Sequence, residues 1–227
     1  MKTFFTTISF LLFIHCAHSQ RLAQVTFADG ANLSYFSFLT DQGVLIRVSE
    51  NGEIMEWGIE MMSNRYNYYA PRLQPFMGRI EYFGPEADSV FSGKVRSIGT
   101  CSFTYYGSYE SDSKPGKLRS VGSVLLDYHS DFANKAFRGK LRFAGNLMLD
   151  YYSSFEEELL RGKLKSIGNT PIVYYSVFDD KSIRGKIKSI GSIKYSWYTS
   201  FDLGGMQGGL KSGSYRRDIG GVTYILR

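Results

Sequence analysis

Gly93-Lys-Val-Arg-Ser-Ile-Gly99 returns as Gly116-Lys-Leu-Arg-Ser-Val-Gly122, Gly139-Lys-Leu-Arg-Phe-Ala-Gly145, Gly162-Lys-Leu-Lys-Ser-Ile-Gly168 and Gly185-Lys-Ile-Lys-Ser-Ile-Gly191, each 23 residues after the last. A shortened sixth copy, Gly208-Gly-Leu-Lys-Ser-Gly213, begins one period later. A fixed period means one structural unit stacked on copies of itself, so the repeat sets the fold before any single residue does.

After each closing glycine the chain alternates. One column is always aromatic: Tyr105, Tyr128, Tyr151, Tyr174 and Trp197. Two residues earlier stand Phe103, Leu126, Leu149, Ile172 and Tyr195, and four residues later Tyr109, Phe132, Phe155, Phe178 and Phe201. Between the last two columns lie small or β-branched residues, Gly107, Ser130, Ser153, Ser176 and Thr199. Period-two alternation of this kind predicts a half-buried strand, with all three large columns on the inner face. The opposite face is more polar and carries Thr104, Asp127, Asp150, Val173 and Ser196, then Tyr106, His129, Tyr152, Tyr175 and Tyr198.

Each unit therefore reads as two strands, the heptad and the aromatic stretch. They join at Gly99-Thr100, Gly122-Ser123, Gly145-Asn146, Gly168-Asn169 and Gly191-Ser192, the signature of a type II′ hairpin. A two-residue loop opposes Arg96 to Phe103 and turns the basic residues inward. A three-residue loop or a bulge places Val95 with Phe103, which is the expected register, because burying the heptad cations without partners is prohibitive. The second connection, such as Glu110 to Pro115 or Glu156 to Arg161, is longer and charged, and is expected to line up acidic and basic columns at one edge.

Before Gly93 the same frame recurs irregularly, in Gly52-Glu-Ile-Met-Glu-Trp-Gly58 and Gly78-Arg-Ile-Glu-Tyr-Phe-Gly84, with Tyr66-Asn-Tyr-Tyr69 between. Ala23 to Phe27 and Val44 to Val48 are further strand candidates, and Val222-Thr-Tyr-Ile-Leu226 is a candidate capping strand. Residues 20–227 are expected to form one domain: an irregular β region over 20–92, five to six repeats over 93–214, and a cap within 215–227. The expected architecture is all-β, an antiparallel meander of roughly 14–16 short strands. An open sheet of that size would leave its aromatic face wet, so it must coil or close as a barrel, a rolled sheet or a sandwich. A β-solenoid is the alternative.

Two repeat families are similar at these residues. MORN repeats share the 23-residue length, the two-strand unit and the glycine-aromatic rhythm, although their Tyr-x-Gly-x-Trp core is missing. The YD repeats of RHS-type shells resemble Tyr174-Tyr-Ser-Val-Phe-Asp179 followed by Arg184-Gly-Lys-Ile-Lys188. More closely, residues 20–227 resemble a group of uncharacterised exported bacterial proteins carrying Gly-Lys-Ile-Lys-Ser-Ile-Gly and Tyr-Tyr-x-x-Phe-Asp repeats. That resemblance implies export and brings no activity with it.

Residues 1–19 read as a secretory signal peptide: Lys2, an apolar run from Phe4 to Ile14, and Ala17-His18-Ser19 as the cleavage site. Cys16 follows His15, which is too large for a lipobox. No later segment has the length and apolarity of a transmembrane helix. The protein is expected to be exported, whether periplasmic, secreted or on the cell surface. Removing Lys2 lowers the formal charge from +6 to +5, a mildly basic balance. One cysteine, Cys101, and one histidine, His129, remain, so no intrachain disulfide can form.

Those two residues leave little for catalysis. His129 occupies a tyrosine column and Cys101 a packing column with Val124, Leu147, Thr170 and Ile193. Metal sites built on His or Cys lack ligands, and no nucleophile-elbow, zincin, P-loop or dinucleotide fingerprint is present. No catalytic, cofactor or metal residue is assigned. Asp127 and Asp150, two strands apart on the polar face, are the one carboxylate pair a glycoside hydrolase could use. Lys94, Arg96 and their repeats form a basic ladder beside tyrosines, suited to an anionic polymer. The expected function is an exported, non-enzymatic β-repeat protein with a structural or binding role at the envelope, its partner an envelope protein or an anionic glycan and not nucleic acid. Glycan binding, glycoside hydrolysis and an outer-membrane barrel are the alternatives.

Overall fold

The computed structural model describes residues 20–61, 72–110, 113–204 and 206–227. Residues 1–19, read above as a signal peptide, and Tyr66 to Tyr69 lie outside the described residues. Those described contain twenty strands and no helix. In chain order the first five are β1 (Arg21–Ala28), β2 (Asn32–Leu39), β3 (Val44–Val48), β4 (Ile54–Glu60) and β5 (Leu73–Gln74). The next eleven are β6 (Ile80–Tyr82), β7 (Val95–Ile98), β8 (Cys101–Tyr105), β9 (Leu118–Val121), β10 (Val124–Tyr128), β11 (Leu141–Ala144), β12 (Leu147–Tyr151), β13 (Leu164–Ile167), β14 (Thr170–Tyr174), β15 (Ile187–Ile190) and β16 (Ile193–Lys194). Last come β17 (Ser196–Trp197), β18 (Leu210–Ser212), β19 (Arg216–Ile219) and β20 (Val222–Leu226).

β6 to β16 form an eleven-stranded sheet in which every strand pairs with its sequence neighbours, so the meander expected from the repeats is present and the solenoid is not. A seven-stranded sheet runs β19-β20-β1-β2-β3-β4-β5, and β17 pairs with β18. Neither large sheet closes on itself among the described residues, which overturns the barrel alternative for the architecture. The wet-face problem is solved by layering instead. Phe27, Phe36, Phe38, Ile46 and Val48 of the seven-stranded sheet share one buried core with Leu118, Leu141, Leu164, Ile172 and Ile187 of the meander.

The C-terminal strand is not a cap on the repeats. β20 inserts between β19 and β1 and runs parallel to β1, with Val25 opposite Tyr224 and Phe27 opposite Leu226. Its Val-x-Tyr-Ile-Leu pattern is buried almost throughout, as an interior strand needs.

The repeat hairpins settle the register. Ile98 opposes Cys101 and Ser97 opposes Ser102, so the loop is the two-residue one, and of the two expected devices, a longer loop or a bulge, only the bulge is used. Gly99, Gly122, Gly145, Gly168 and Gly191 have φ between 52° and 61°, while the residue after each stays at negative φ, as a type II′ turn requires. The parity change comes from the other side of the same strand. Ser120 opposes Thr104 but Leu118 opposes Tyr105, so Arg119 is extruded as a bulge. The same skip occurs at Arg96, Arg142, Lys165 and Lys188. One extra residue lets Leu118 and Val121, three apart, both face the core while the cation between them points out.

The bulge also ties the layers together. Leu118 N donates to Gly52 O at 3.1 Å, Leu141 N to Glu50 O at 2.7 Å and Ile187 N to Gly30 O at 2.8 Å. Two turns of the seven-stranded sheet thus reach into the meander, and each needs glycine. At Gly30 (φ +60°) an added Cβ would lie 1.9 Å from the Trp197 ring, and at Gly52 (φ +83°) 2.1 Å from the Tyr128 hydroxyl.

Candidate binding surfaces of the repeat array

Two of the three large columns are inside, as expected. Phe103, Leu126, Leu149, Ile172 and Tyr195 are buried, as are Tyr128, Tyr151, Tyr174 and Trp197. The third is not. Tyr109, Phe132, Phe155, Phe178 and Phe201 are 100, 93, 92, 90 and 88% exposed. The strand ends at Tyr105 or its equivalent, so the alternation beyond it belongs to a loop and does not report a buried face.

The loop chemistry explains where the strand stops. Ser176 donates through its N–H (2.7 Å) and hydroxyl (3.0 Å) to Asp179, and Thr199 does the same to Asp202 (2.7 and 2.9 Å). These local side-chain bonds replace ladder bonds and turn the chain. They hold the Asp202 carboxyl, with Lys211 as the largest influence, down to about 2. The small column is thus the start of a turn. Each loop is closed at its base by paired backbone bonds, such as Tyr152 N to Lys163 O and Gly162 N to Tyr152 O.

Neighbouring loops are also joined to each other. Asp88 accepts from the Ser108 N–H and hydroxyl, Asn134 accepts from Ser154 N, Glu157 from Val177 N and Asp180 from Ser200 N. The Asp180 carboxyl is held down to about 2, chiefly by the Ser200 hydroxyl. Each of these bonds spans 20 residues, from one loop to the next, so the tips are set side by side. Among the described residues, two of the acidic residues following the rings pair with lysines, Glu156 with Lys165 and Asp202 with Lys211, while the loop arginines turn to backbone carbonyls. Arg161 Nε donates to Glu156 O and Arg184 Nε to Asp179 O.

The basic residues divide into two columns with different tasks. The heptad's first lysine is half-buried and folded back over the aromatic column. Lys94, Lys117, Lys140, Lys163 and Lys186 lie over Tyr105, Tyr128, Tyr151, Tyr174 and Trp197, 4.7–5.4 Å from the ring centres. Lys94, Lys117 and Lys140 donate to the carbonyls of Gly116, Gly139 and Gly162. Lys163 reaches Ala31 O and Asn32 Oδ1, and burial pushes it down to about 8. The extruded residues Arg96, Arg119, Arg142, Lys165 and Lys188 are exposed on the outer face. Arg119, Lys165 and Lys188 lie 5.3–5.6 Å over Tyr106, Tyr152 and Tyr175.

The candidate catalytic groups sit in structural roles. Partial burial pushes the Asp127 carboxyl up, but the Lys114 ammonium at 2.8 Å, the Tyr128 N–H and the Tyr106 hydroxyl together hold it below its ordinary value. A general acid needs the opposite shift. Asp150 accepts from the Tyr151 N–H. His129 packs 4.6 Å from the Phe137 ring, hydrogen-bonds the Leu149 backbone, and is held below its usual pKa by burial and by Arg142. It replaces Tyr106, Tyr152 and Tyr175, whose hydroxyls donate to Leu126 O, Ile172 O and Tyr195 O. The Cys101 thiol is buried and pushed up to about 11, which makes it inert. Among the described residues no group of three or more His, Cys, Asp or Glu is placed to hold a metal, and no helix is long and apolar enough to cross a membrane.

The clefts are small. One of 240 Å³ on the outer face is lined by Tyr106, Arg119, Leu125, Asp127 and Phe143. Another of 330 Å³ lies between the layers beside Gly52, Trp57, Lys94 and Tyr105. No protein-family model matches the chain, no curated protein is significantly similar to it, and no solved structure matches it.

Proposed function

We propose that this chain is an exported, non-enzymatic scaffold that holds an extended partner along its repeat array at the cell envelope. The observation that carries this reading is the ridge of five solvent-exposed aromatic side chains, one per loop, from Tyr109 to Phe201. Exposed apolar side chains rimmed by polar ones mark interaction surfaces. The loops of Phe132, Phe155, Phe178 and Phe201, cross-linked by side-chain bonds, hold such a surface in one arrangement, which lowers the ordering cost of binding. The structural roles of Asp127, His129 and Cys101 support a binding function over catalysis. The test compares wild type with Phe132→Ser/Phe155→Ser/Phe178→Ser for retention on the native envelope fraction. Loss of retention with an unchanged β-sheet circular-dichroism spectrum is expected; equal retention overturns the ridge as the binding surface.

A second reading rests on the outer face, where Arg96, Arg119 and Arg142 stand exposed in a row. It makes that face a site for an anionic glycan. Salt-sensitive retention on heparin that disappears in Arg119→Glu/Arg142→Glu supports it, and retention unchanged by those substitutions overturns it.

A further inference from the structure

Resting on the scaffold reading, we infer that the aromatic ridge binds an uncharged, β-1,4-linked polysaccharide lying across the loop tips, its sugars stacked on Tyr109, Phe132, Phe155, Phe178 and Phe201. The first argument is period. Equivalent residues of successive repeats lie two strands apart in the meander, and strands are spaced about 4.8 Å, so the rings recur at roughly 9–10 Å. An extended peptide presents the same face about every 6.8 Å and falls out of step. A β-1,4-linked chain of pyranoses turns over at each residue and offers the same face every second sugar, a repeat of the same length as the ring spacing. A polyproline II helix also keeps step, at about 9.3 Å per turn.

The second argument is charge and hydrogen bonding. An acidic residue adjoins every ring in sequence, Glu110, Asp131, Glu156, Asp179 and Asp202; Asp179 and Asp202 already accept from Ser176 and Thr199, and Glu156 and Asp202 pair with Lys165 and Lys211. Ionised carboxylates accept hydrogen bonds and donate none, and they repel an anionic polymer. Their complement is a neutral partner rich in donors. Sugar hydroxyls supply donors at each ring, whereas a proline-rich strand has few N–H groups to offer. The apolar C–H face of a pyranose then covers the ring that water now touches. A single such contact is weak, but contacts on successive rings are linked through one chain and reinforce each other.

The test measures affinity for cello- and chito-oligosaccharides from two to eight sugars, with a proline-rich peptide, heparin and an α-1,4-glucan as parallel probes. The expected result is binding to the β-1,4 chains that strengthens with each second sugar, and is about tenfold or more weaker in Phe132→Ser/Phe155→Ser/Phe178→Ser. Circular dichroism and the single variant Phe155→Ser exclude loss of fold as the cause. No binding of neutral β-1,4 chains by wild type, binding unchanged by the triple substitution, or preference for the peptide or heparin overturns the inference. If wild type ignores every neutral glycan while the triple variant still loses the envelope, the ligand class falls and the scaffold reading stands.

Discussion

Trp197 Nε1 donates a 2.7 Å hydrogen bond to the carbonyl of Ile187, ten residues upstream. Tyr128, Tyr151 and Tyr174 make the same bond through their hydroxyls to Leu118, Leu141 and Leu164 at 2.6–2.9 Å. A buried aromatic thus fills the core and satisfies a carbonyl at the bulged end of its own hairpin. The column admits tyrosine and tryptophan for this reason, since both join a large ring to a donor at the far end.

Tyr151→Phe keeps the ring and leaves the Leu141 carbonyl without that donor. Stability should fall by about 1–2 kcal/mol, read as a lower urea midpoint with unchanged m-value.

Burial raises Tyr128, Tyr151 and Tyr174 well above the ordinary phenol value of 10.0, and Tyr224 to about 12. The folded state therefore holds these protons more tightly than the unfolded chain. Their contribution is fully present below pH 10 and is lost progressively as pH climbs from there toward the folded values. Phenolate absorbance from the buried tyrosines should appear together with loss of β-sheet signal, above the pH at which exposed tyrosines titrate.

Gly30→Ala places a methyl group against the Trp197 ring at a left-handed backbone position. A loss of about 2 kcal/mol or more is expected, with altered fluorescence from Trp197. Gly43→Ala, also at positive φ (76°) but with open space around it, carries the backbone strain alone and should cost less.

His129 is held below its usual pKa, chiefly by burial, so its contribution is present above the unfolded value near 6.5 and is lost as pH falls from there through the lower folded value. His129→Tyr restores the column's hydroxyl donor. The variant should lose the part of the stability slope between pH 7 and 5 that His129 supplies in wild type, measured by thermal midpoints across that range.

Phe155→Ser should change stability by no more than about 0.5 kcal/mol, because the ring is 92% exposed. A large loss in denaturant unfolding would place that ring in the core instead.

The sequence was legible wherever a local rule governed. The glycine pairs predicted II′ turns, and they are II′ turns. The Phe103 and Tyr105 columns predicted the inner face, and they line it, Tyr105 itself only half-buried. The reading failed at Tyr109 and its equivalents because alternation continues in register past the point where the strand ends, and Ser176–Asp179 type turns look like small residues in a strand. The hairpin register stayed open for a related reason. Arg96 had to leave the core, but whether a longer loop or a bulge removed it depends on pairing with the preceding repeat, which no single hairpin reveals. The ridge was visible as five aromatic residues, yet its exposure was not.

The sequence by itself determined all-β two-strand units, because turn chemistry and alternation act within a few residues and repeat every 23; the strand order decided the meander over the solenoid. The tertiary structure alone decided what covers that meander and which side remains wet. The cover is a seven-stranded sheet assembled from both ends of the described chain, β1 to β5 with β19 and β20. Its turns accept backbone bonds that the bulges release, and this contact between distant segments has no signature in local spacing. With the strand face occupied, the loop aromatics were left among the apolar groups facing solvent.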